Sequence, residues 1–513
     1  MNPERVVVVG AGMGGLVAAL ELAAQGVDVT VVERAPTPGG KLRQSVIGQS
    51  RLDAGPTVFT MRWVFEDIFS SVNASLDDYL SLSPVEVLAR HAWGPDQRLD
   101  LYPDVDRSAD AIGELAGAAE AQRYKAFCAR AQNIYETLEG PFIRAARPGV
   151  LDLVRGVGVR GLGDLWRIQP FNTLWGALGK YFKDPRLRQL FGRYATYCGS
   201  SPFSAPATLM LVAHVEREGV WLVDGGMYRI AEALTALGGD RGVTYRYGEE
   251  VAEVMVAGGK AAGVRLTSGE RIKADAVVVN ADAGALQAGR LGAGVERAIA
   301  PIPRSARSLS AMTWAFVGEV EGFPLARHSV FFSDDYAAEF DDIFKRNRLP
   351  ERPTVYVCAQ DRTDDAGPDP SGAERIFCLV NAPPRGDEKP FDASEIEQCQ
   401  SRTFQLLERC GLHLCRQPES TVVTTPVEFE NLFPTTGGAI YGRASHGWMA
   451  SFQRPGSRSR VPGLYLAGGS VHPGPGVAMA ALSGRQAAAS LLSDLVSTKR
   501  SRPVATSGGM STA

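Results

Sequence analysis

The glycines near the N-terminus have the spacing of a dinucleotide-binding loop. Gly10, Gly12 and Gly15 form the pattern G-x-G-x-x-G, and Glu33 ends the next apolar run. In such a loop the first glycine permits a tight turn, the second lets a pyrophosphate approach the backbone, and the third lets a helix pack closely on a strand. A carboxylate at this distance accepts a hydrogen bond from a ribose hydroxyl. We therefore predict a dinucleotide site that also includes Gly14; the alternative is an ordinary βαβ unit with incidental glycines.

A second glycine loop follows Glu33 and carries two cations. Gly39 and Gly40 are followed by Lys41 and Arg43. A nicotinamide domain usually continues from its acidic residue into another crossover helix, whereas this sequence indicates a loop. Backbone N–H groups and cations that converge on one point bind phosphate. We therefore expect this loop to contact a pyrophosphate; the alternative is a solvated loop.

A third glycine-rich segment lies near the C-terminus. Gly468 and Gly469 follow an apolar run, and a helix of small residues is predicted from Val477 to about residue 495. A strand, a glycine loop and a helix N-terminus again form a site for an anion or a dipole. His472 in this loop and His446 upstream are the candidate catalytic residues. The alternative for His472 is to brace the loop by a hydrogen bond to the backbone.

Apolar, β-branched runs between turn residues predict the elements that hold these loops. The predicted strands of the first region are 5–9, 27–32, 243–247, 250–256, 263–267, 276–279 and 463–467, and its predicted helices are 16–24, 228–237 and 477–495. A second region is predicted to contain strands at 311–317 and 354–358 and a helix at 393–409.

The length of 513 residues exceeds the usual size of a single core, so we expect two domains. The cofactor domain is predicted to be discontinuous, with segments 1–57, 219–282 and 424–495. A substrate domain is predicted from the two insertions, 58–218 and 283–423. Residues 496–513 are predicted to form a disordered tail, because the end of the chain is polar and rich in Ser, Thr and Gly.

Composition excludes several classes of protein. The formal net charge is −3 and no basic nucleic-acid motif is present, so no nucleic-acid partner is expected. The first predicted strand begins almost at the start, which leaves no room for a signal peptide, and no run of about 18 apolar residues predicts a spanning helix. Seven cysteines without a C-x-x-C pair fit a reducing, cytoplasmic compartment. Cys410, His413 and Cys415 match no standard metal spacing, so no metal site is predicted.

The combination of motifs resembles the bacterial carotenoid desaturases of the phytoene desaturase family. The resemblance rests on residues at both ends and in the middle of the chain: 10–15, Glu33, 39–40, 53–57, 219–221, 225–227 and 468–476. It implies an α/β fold, with an FAD-binding Rossmann-like domain of the amine-oxidase and phytoene-desaturase superfamily and an inserted α+β substrate domain. FAD is the implied cofactor. The implied cofactor-binding residues are Gly10, Gly12, Gly14, Gly15, Glu33, Arg34, Gly40, Lys41, Arg43, Gly55, Pro56, Thr57, Val251, Gly468, Gly469, Val477, Ala478 and Met479.

Three stretches, at 55–65, 214–216 and 438–448, are similar to the hydroxycarotenoid 3,4-desaturases of photosynthetic bacteria. This resemblance implies a 1-hydroxy- or 1-methoxycarotenoid substrate, such as hydroxyneurosporene, and hydride transfer to flavin N5. No side chain accepts a hydride, so the cofactor must carry that step. A polar residue must then meet the 1-hydroxyl group, and the candidates are Arg62, Arg304 and His446.

Basic and large apolar side chains alternate between Pro141 and Arg193, which is typical of a membrane surface. We predict insertion of Trp166, Phe171 and Trp175 beside the cations Arg155, Arg160, Arg167, Lys180 and Lys183. The protein is then expected to bind peripherally to the cytoplasmic side of the inner or photosynthetic membrane. The alternative is a solvated basic face. Trp63, Phe65 and Phe69 form a stripe that favours the core over a polyene contact.

Other functions remain compatible with these motifs. They are stepwise phytoene desaturation, amine or porphyrinogen oxidation, and carotenoid isomerisation in which FAD is not turned over. The electron acceptor is either oxygen or a membrane quinone.

Overall fold

A computed structural model of the chain describes residues 4–146, 171–363 and 372–500. Its centre is a parallel sheet of five strands, which lie in the order Leu464–Leu466, Ala276–Val279, Arg5–Val9, Asp28–Glu33 and Thr244–Tyr247. The valines of the three middle strands are almost fully buried. Burial on both faces is what a parallel sheet requires, and it explains the continuous β-branched runs in the sequence.

Three helices cover one face of this sheet. Met13–Ala24 packs against both Arg229–Asp240 and the long C-terminal helix Val477–Arg500. A Cβ atom at Gly484 would lie 2.2 Å from the carbonyl oxygen of Gly14, so the two helices approach closely only because residue 484 is glycine. The first helix begins at Met13, three residues before the predicted start at residue 16. The prediction missed this first turn because it contains glycines, which have weak helix propensity.

A small antiparallel sheet covers the other face. Its strands are Val251–Ala257, Lys260–Leu266 and Arg271–Lys273, and their buried residues join the core beneath the parallel sheet. The first two strands were predicted with slightly different bounds, and the third was not predicted. Arg271–Lys273 escapes prediction because it is short and two of its three residues are cationic.

A mixed sheet of eight described strands forms the second region. Seven of its strands follow the order Leu412–Cys415, Ser310–Gly322, Glu374–Ala382, Val355–Ala359, His328–Phe331, Ala89–Ala92 and Arg98–Leu101, and Thr421–Thr424 pairs with Ser310–Gly322. Two strand pairs complete the described strands, namely Gln44–Ile47 with Ser50–Asp53 and Leu82–Pro84 with Trp221–Val223. The other α-helices of the described ranges are Arg62–Ser71, Val105–Ala116, Ala118–Leu138, Leu174–Tyr181, Pro185–Gly192, Leu211–Arg217, Ala283–Gln287, Tyr336–Phe344, Ala393–Arg409 and Pro426–Leu432.

The helix Arg62–Ser71 contacts the C-terminal helix, although the predicted division assigned residues 58–218 to the substrate domain. Its Phe65 and Phe69 side chains are fully buried in the core that also holds the helix Met13–Ala24, and Trp63 packs at the edge of that core beneath the guanidinium of Arg144. This aromatic stripe is therefore core. The domain boundaries themselves remain a prediction.

The C-terminal helix extends to Arg500, past residue 496, where a disordered tail was predicted to begin. Residues 501–513 lie outside the part that the structure describes. Within the described ranges, no helix is both long enough and apolar enough to cross a membrane.

Candidate active site

A cavity of about 670 Å³ begins at the carboxyl ends of the parallel strands and extends to the mixed sheet. The carboxyl edge of a parallel sheet is where α/β proteins bind ligands. Most of the predicted cofactor-binding residues line this cavity: Gly10, Gly12, Gly14, Glu33, Arg34, Gly40, Lys41, Arg43, Gly55, Pro56, Thr57, Val251, Gly468, Gly469 and Val477. The structure therefore brings together residues from both ends and the middle of the chain.

Gly15, Ala478 and Met479 do not line the cavity. A Cβ atom at Gly15 would lie 2.1 Å from the carbonyl oxygen of Gly10, so this glycine serves the close packing of helix on strand. Ala478 is 5% exposed and belongs to the core cluster of the C-terminal helix, with Met479 packed against that cluster. These residues shape the site from behind its wall.

The side chain of Glu33 ties the first glycine loop to the turn that follows the second strand. One carboxylate oxygen accepts a hydrogen bond from the backbone N–H of Ala11 at 2.7 Å, and the other accepts from Ala35 at 2.8 Å. Each oxygen retains a further lone pair, and the residue lines the cavity. Glu33 thus holds the loop and still has capacity to accept a bond from a ligand hydroxyl.

Both cations of the second glycine loop lie on the cavity wall. The ammonium of Lys41 lies 5.2 Å from the ring centre of Phe433, and burial lowers the pKa of this lysine. The guanidinium of Arg43 lies over Phe429 and donates to the Thr424 hydroxyl at 3.3 Å. Among the described residues no carboxylate lies within ion-pair distance of either cation, although the charge of Asp282 opposes the lowering of the Lys41 pKa. A bound anion would compensate the rest of their burial.

Asn280 and Asp282 also line the cavity, and the sequence reasoning missed them. They follow directly after the buried strand Ala276–Val279, and polar residues at that position are a signal that could have found them. The Asn280 amide donates to the carbonyl of Gly10 at 3.3 Å. Asp282 accepts from the backbone of Gly284 through one oxygen, while its second oxygen is buried without a partner among the described residues.

The two candidate catalytic histidines have bracing contacts instead of a place on the wall. Nε2 of His472 lies 2.9 Å from the carbonyl oxygen of Phe142, and Nε2 of His446 accepts from the backbone N–H of Ser201 at 2.9 Å. Burial lowers the pKa of each histidine to about 4. Neither residue belongs to the described cavity wall, and the contact of His472 is the one that the loop-bracing alternative expects; a catalytic role for either histidine stays a prediction.

The candidate hydroxyl-binding residues are also absent from the described cavity wall. Arg62 forms ion pairs with Glu66 at 2.7 Å and Asp77 at 2.8 Å, and Arg304 is exposed and paired with Glu388. Neither these two arginines nor His446 is among the described residues that line the cavity. All three stay predictions without support from the cavity wall; for the two arginines the reason is that a surface cation and a wall cation look alike in a sequence.

The far half of the wall comes from several distant segments. Its apolar residues are Val212, Val215, Val330, Phe377, Leu379 and Ile440. Its polar residues include Arg193, Thr196, Tyr197, Glu216, Tyr336, Thr354, Tyr356, Asn381 and Tyr441. No local pattern marks these residues, so the sequence could not have predicted them as one surface.

A hydrogen-bonded chain connects the two halves of the wall. The Thr57 hydroxyl lies 2.6 Å from the phenol oxygen of Tyr356, which lies 2.7 Å from Nδ1 of His328. Burial lowers the pKa of His328 to about 3 and raises the pKa of Tyr356. Both groups are therefore neutral at ordinary pH, and the chain can hold or pass a proton without a permanent charge.

A buried carboxylic acid supports the mixed sheet behind this wall. Glu339 is fully buried, accepts from the backbone and hydroxyl of Thr354 at 3.0 and 2.7 Å, and accepts from the Asn381 amide at 2.9 Å. Burial raises the pKa of Glu339 to about 7. By accepting these three hydrogen bonds, Glu339 fixes the orientation of Thr354 and Asn381, which both line the cavity.

The arrangement of a parallel sheet, dinucleotide loops and an adjoining mixed sheet defines a flavoprotein oxidoreductase fold. Residues 175–492 match the family described as flavin containing amine oxidoreductase, and residues 8–72 match the NAD(P)-binding Rossmann-like domain. The chain belongs to the flavin containing amine oxidoreductase family. It is an oxidoreductase, and its cofactor is FAD.

Relatives that match over their full length indicate a narrower group of proteins within this family. The chain is 56% identical to hydroxyneurosporene desaturase from Rubrivivax gelatinosus, over 100% of this chain and 98% of the relative. It is 44% identical to hydroxyneurosporene desaturase from Cereibacter sphaeroides, over 97% of this chain and 99% of the relative. Identity to 4,4'-diapolycopene oxygenase from a Methylomonas species is 31%, over 96% and 99%.

Solved structures share the fold. An oxidoreductase from Methanosarcina mazei matches with a TM-score of 0.59 at 16% identity, over 94% of this chain and 99% of that chain. Putrescine oxidase bound to putrescine matches with a TM-score of 0.57 at 16% identity, over 96% and 99%. At such low identity the likeness concerns the fold alone.

Proposed function

We propose that the protein is an FAD-dependent desaturase that introduces the 3,4 double bond into a 1-hydroxy- or 1-methoxycarotenoid such as hydroxyneurosporene. The observation that carries this proposal is the continuity of the cavity, which joins dinucleotide loops to a wall of aliphatic and aromatic residues. A polyene end group needs such an apolar wall next to a redox cofactor. The names of the relatives at 56% and 44% identity support the same substrate class.

The proposed cofactor contacts follow from the wall. FAD fits the near half because the glycine loops leave no Cβ atoms there, and because Lys41 and Arg43 bring positive charge without carboxylate partners among the described residues. Glu33 would accept a ribose hydroxyl, and the N-terminus of the helix beginning at Val477 would face the flavin ring. Bound FAD supplies the hydride acceptor that no side chain provides.

The chain's own residues would handle the proton. Hydride loss from an allylic carbon leaves a cation whose neighbouring C–H bond is strongly acidic, so a weak acceptor suffices. The phenol oxygen of Tyr356 lies on the wall and would receive this proton while its own proton passes to His328. The apolar residues around it exclude water, which would otherwise add to the cation.

We also propose that the protein contacts a membrane from which the carotenoid enters. Phe171 and Trp448 support this, since they are 62% and 43% exposed and their ring centres lie 5.2 Å apart. Trp175 is not suited to insertion as predicted, because it packs against Phe203 at 4.7 Å and beneath Arg188. Trp166, Arg155, Arg160 and Arg167 lie outside the described residues.

The membrane contact has its own test. Replacing Arg155, Arg160, Arg167, Lys180 and Lys183 by Gln should weaken binding to anionic liposomes, since each cation near such a surface contributes about 1 kcal/mol. Flavin content should not change. Equal sedimentation of variant and parent would contradict this contact. The same vesicles, supplied with a quinone or with oxygen, distinguish the two proposed electron acceptors by the rate of flavin reoxidation.

The substrate assay tests the function directly. Phytoene, neurosporene and 1-hydroxyneurosporene are offered in liposomes to the holoenzyme, and the products are separated by chromatography. We expect one new double bond at C3–C4 of 1-hydroxyneurosporene. Efficient conversion of phytoene would instead support stepwise phytoene desaturation, and oxidation of an amine or a porphyrinogen would support those alternatives.

A further inference from the structure

Two polar groups on the far wall have no hydrogen-bond partner within the described residues. They are Nε of Arg193 and the hydroxyl of Tyr336. Arg193 is 7% exposed and Tyr336 is 6% exposed. Both residues line the cavity. Buried polar groups in folded proteins are almost always paired. A ligand with a polar atom in this part of the cavity would supply the missing partner.

The guanidinium of Arg193 is fixed by a short chain of contacts. Nη2 donates to the Tyr197 hydroxyl at 3.0 Å, Tyr197 donates to Glu216 at 2.9 Å, and Tyr194 donates to the second oxygen of Glu216. The cation and the carboxylate therefore form a neutral unit. Such a unit orients Nε while adding no net charge that would oppose a cation on the polyene.

Arg193 lies close to the chain proposed to take the proton. Burial, followed by the charges of Arg327 and Arg193, lowers the pKa of His328, whose Nδ1 bonds to Tyr356. In the substrate of the proposed function, the carbon that bears oxygen is two bonds from C3. The group that binds this oxygen must therefore lie on the same stretch of wall as the group that acts on the 3,4 bond.

We propose that Arg193 donates a hydrogen bond to the 1-oxygen of the carotenoid and that Tyr336 accepts the hydrogen of a 1-hydroxyl group. This inference rests on the proposed function and names its specificity-determining residues. A hydroxyl and a methoxyl group share an acceptor oxygen, so Arg193 serves both, whereas only a hydroxyl can donate to Tyr336. A hydrocarbon end group leaves both residues unpaired and is rejected for that reason.

Equilibrium binding to reduced holoenzyme tests the assignment. The flavin is reduced with dithionite without oxygen, so that the carotenoid binds and is not turned over. Dissociation constants are measured for neurosporene, 1-hydroxyneurosporene and 1-methoxyneurosporene in detergent. We expect Arg193→Lys to reduce the preference for both oxygenated carotenoids over neurosporene by about tenfold to hundredfold. Tyr336→Phe should reduce the preference for the hydroxyl compound and leave that for the methoxyl compound unchanged.

Tyr245→Phe is the matched control. It removes a buried hydroxyl that has no hydrogen-bond partner among the described residues, and Tyr245 lies on the parallel sheet and is absent from the described cavity wall, so the preference should not change. Tyr336→Phe removes a hydroxyl that has no hydrogen-bond partner among the described residues, so it should fold even if Arg193→Lys does not. A preference retained in both wall variants overturns the assignment and leaves the proposed function intact. A binding preference that depends on Arg193, together with no 3,4-desaturated product, overturns the proposed function alone.

Discussion

The near and far halves of the cavity are built by opposite means. The near half consists of glycine loops at the ends of parallel strands, where backbone atoms approach one another: a Cβ at Gly14 would lie 2.6 Å from the nitrogen of Gly468. The far half consists of large side chains from a mixed sheet and its helices, including Arg193, Tyr336 and Tyr356. One half fits a ligand by the absence of side chains, and the other by their chemistry.

This difference determines how each half responds to change. The glycine loops tolerate almost no added atom, because their close backbone contacts cannot relax without moving whole strands. A wall of side chains tolerates substitution and changes its preference instead. We therefore expect near-half variants to lose the cofactor and far-half variants to keep it with altered turnover or selectivity.

The largest effect is expected from Gly12→Val. A Cβ atom at this position would lie 2.7 Å from the Asn280 amide and 3.9 Å from Cα of Gly40, and the branched side chain would fill the pyrophosphate position. The purified variant should be colourless apoprotein by its visible absorption spectrum. Gly239→Ala, where a Cβ meets nothing within 4 Å, is the control and should bind flavin normally. A yellow Gly12→Val protein would place the pyrophosphate elsewhere.

The next effect concerns stability and pH in the far half. Because the pKa of Glu339 is raised by burial to about 7, the folded protein binds this proton more tightly than the unfolded chain does. This contribution is present below about pH 4.5 and is lost as the pH rises to about 7, and it amounts to about 3 kcal/mol. Glu339→Gln should remove that slope from the free energy of unfolding measured in urea at several pH values. Asp341→Asn on the same helix should keep it, and an unchanged slope in Glu339→Gln would refute the assignment.

Glu33→Ala should weaken FAD binding by about 1.5–3 kcal/mol, the range for a hydrogen bond to a charged group. The loss of its bonds to Ala11 and Ala35 would also loosen the loop. Calorimetric titration of apoprotein with FAD measures the change. Glu33→Gln keeps one acceptor oxygen and should lose less. Identical FAD affinities for Glu33→Ala and the parent would contradict the placement of the ribose beside Glu33.

The smallest effect is expected from Tyr356→Phe. Turnover should fall about tenfold, less than the usual range of 10²–10⁴ for an acid–base group, because a weak acceptor suffices for so acidic a proton. The flavin should stay bound. Tyr245→Phe removes a buried hydroxyl on the parallel sheet that has no partner in the described part of the chain, and it should leave single-turnover rates unchanged. An unaltered rate in Tyr356→Phe would exclude the phenol as proton acceptor.

The sequence predicted the near half well, because its constraints are local. Gly10 adopts a φ of +97° and Gly15 approaches Gly10, and both requirements leave glycine at a fixed spacing. The far half could not be predicted, because Arg193 and Tyr356 come to line one cavity only through the packing of distant segments. For the same reason the sequence favoured Arg62 and Arg304, whose charges are satisfied by surface carboxylates.

Anaerobic mixing of the holoenzyme with 1-hydroxyneurosporene tests most directly whether the two halves form one active site. The account predicts that the flavin absorption bleaches, with one 3,4-desaturated carotenoid formed for each flavin reduced. An oxidised flavin beside an isomerised or unchanged carotenoid would contradict it.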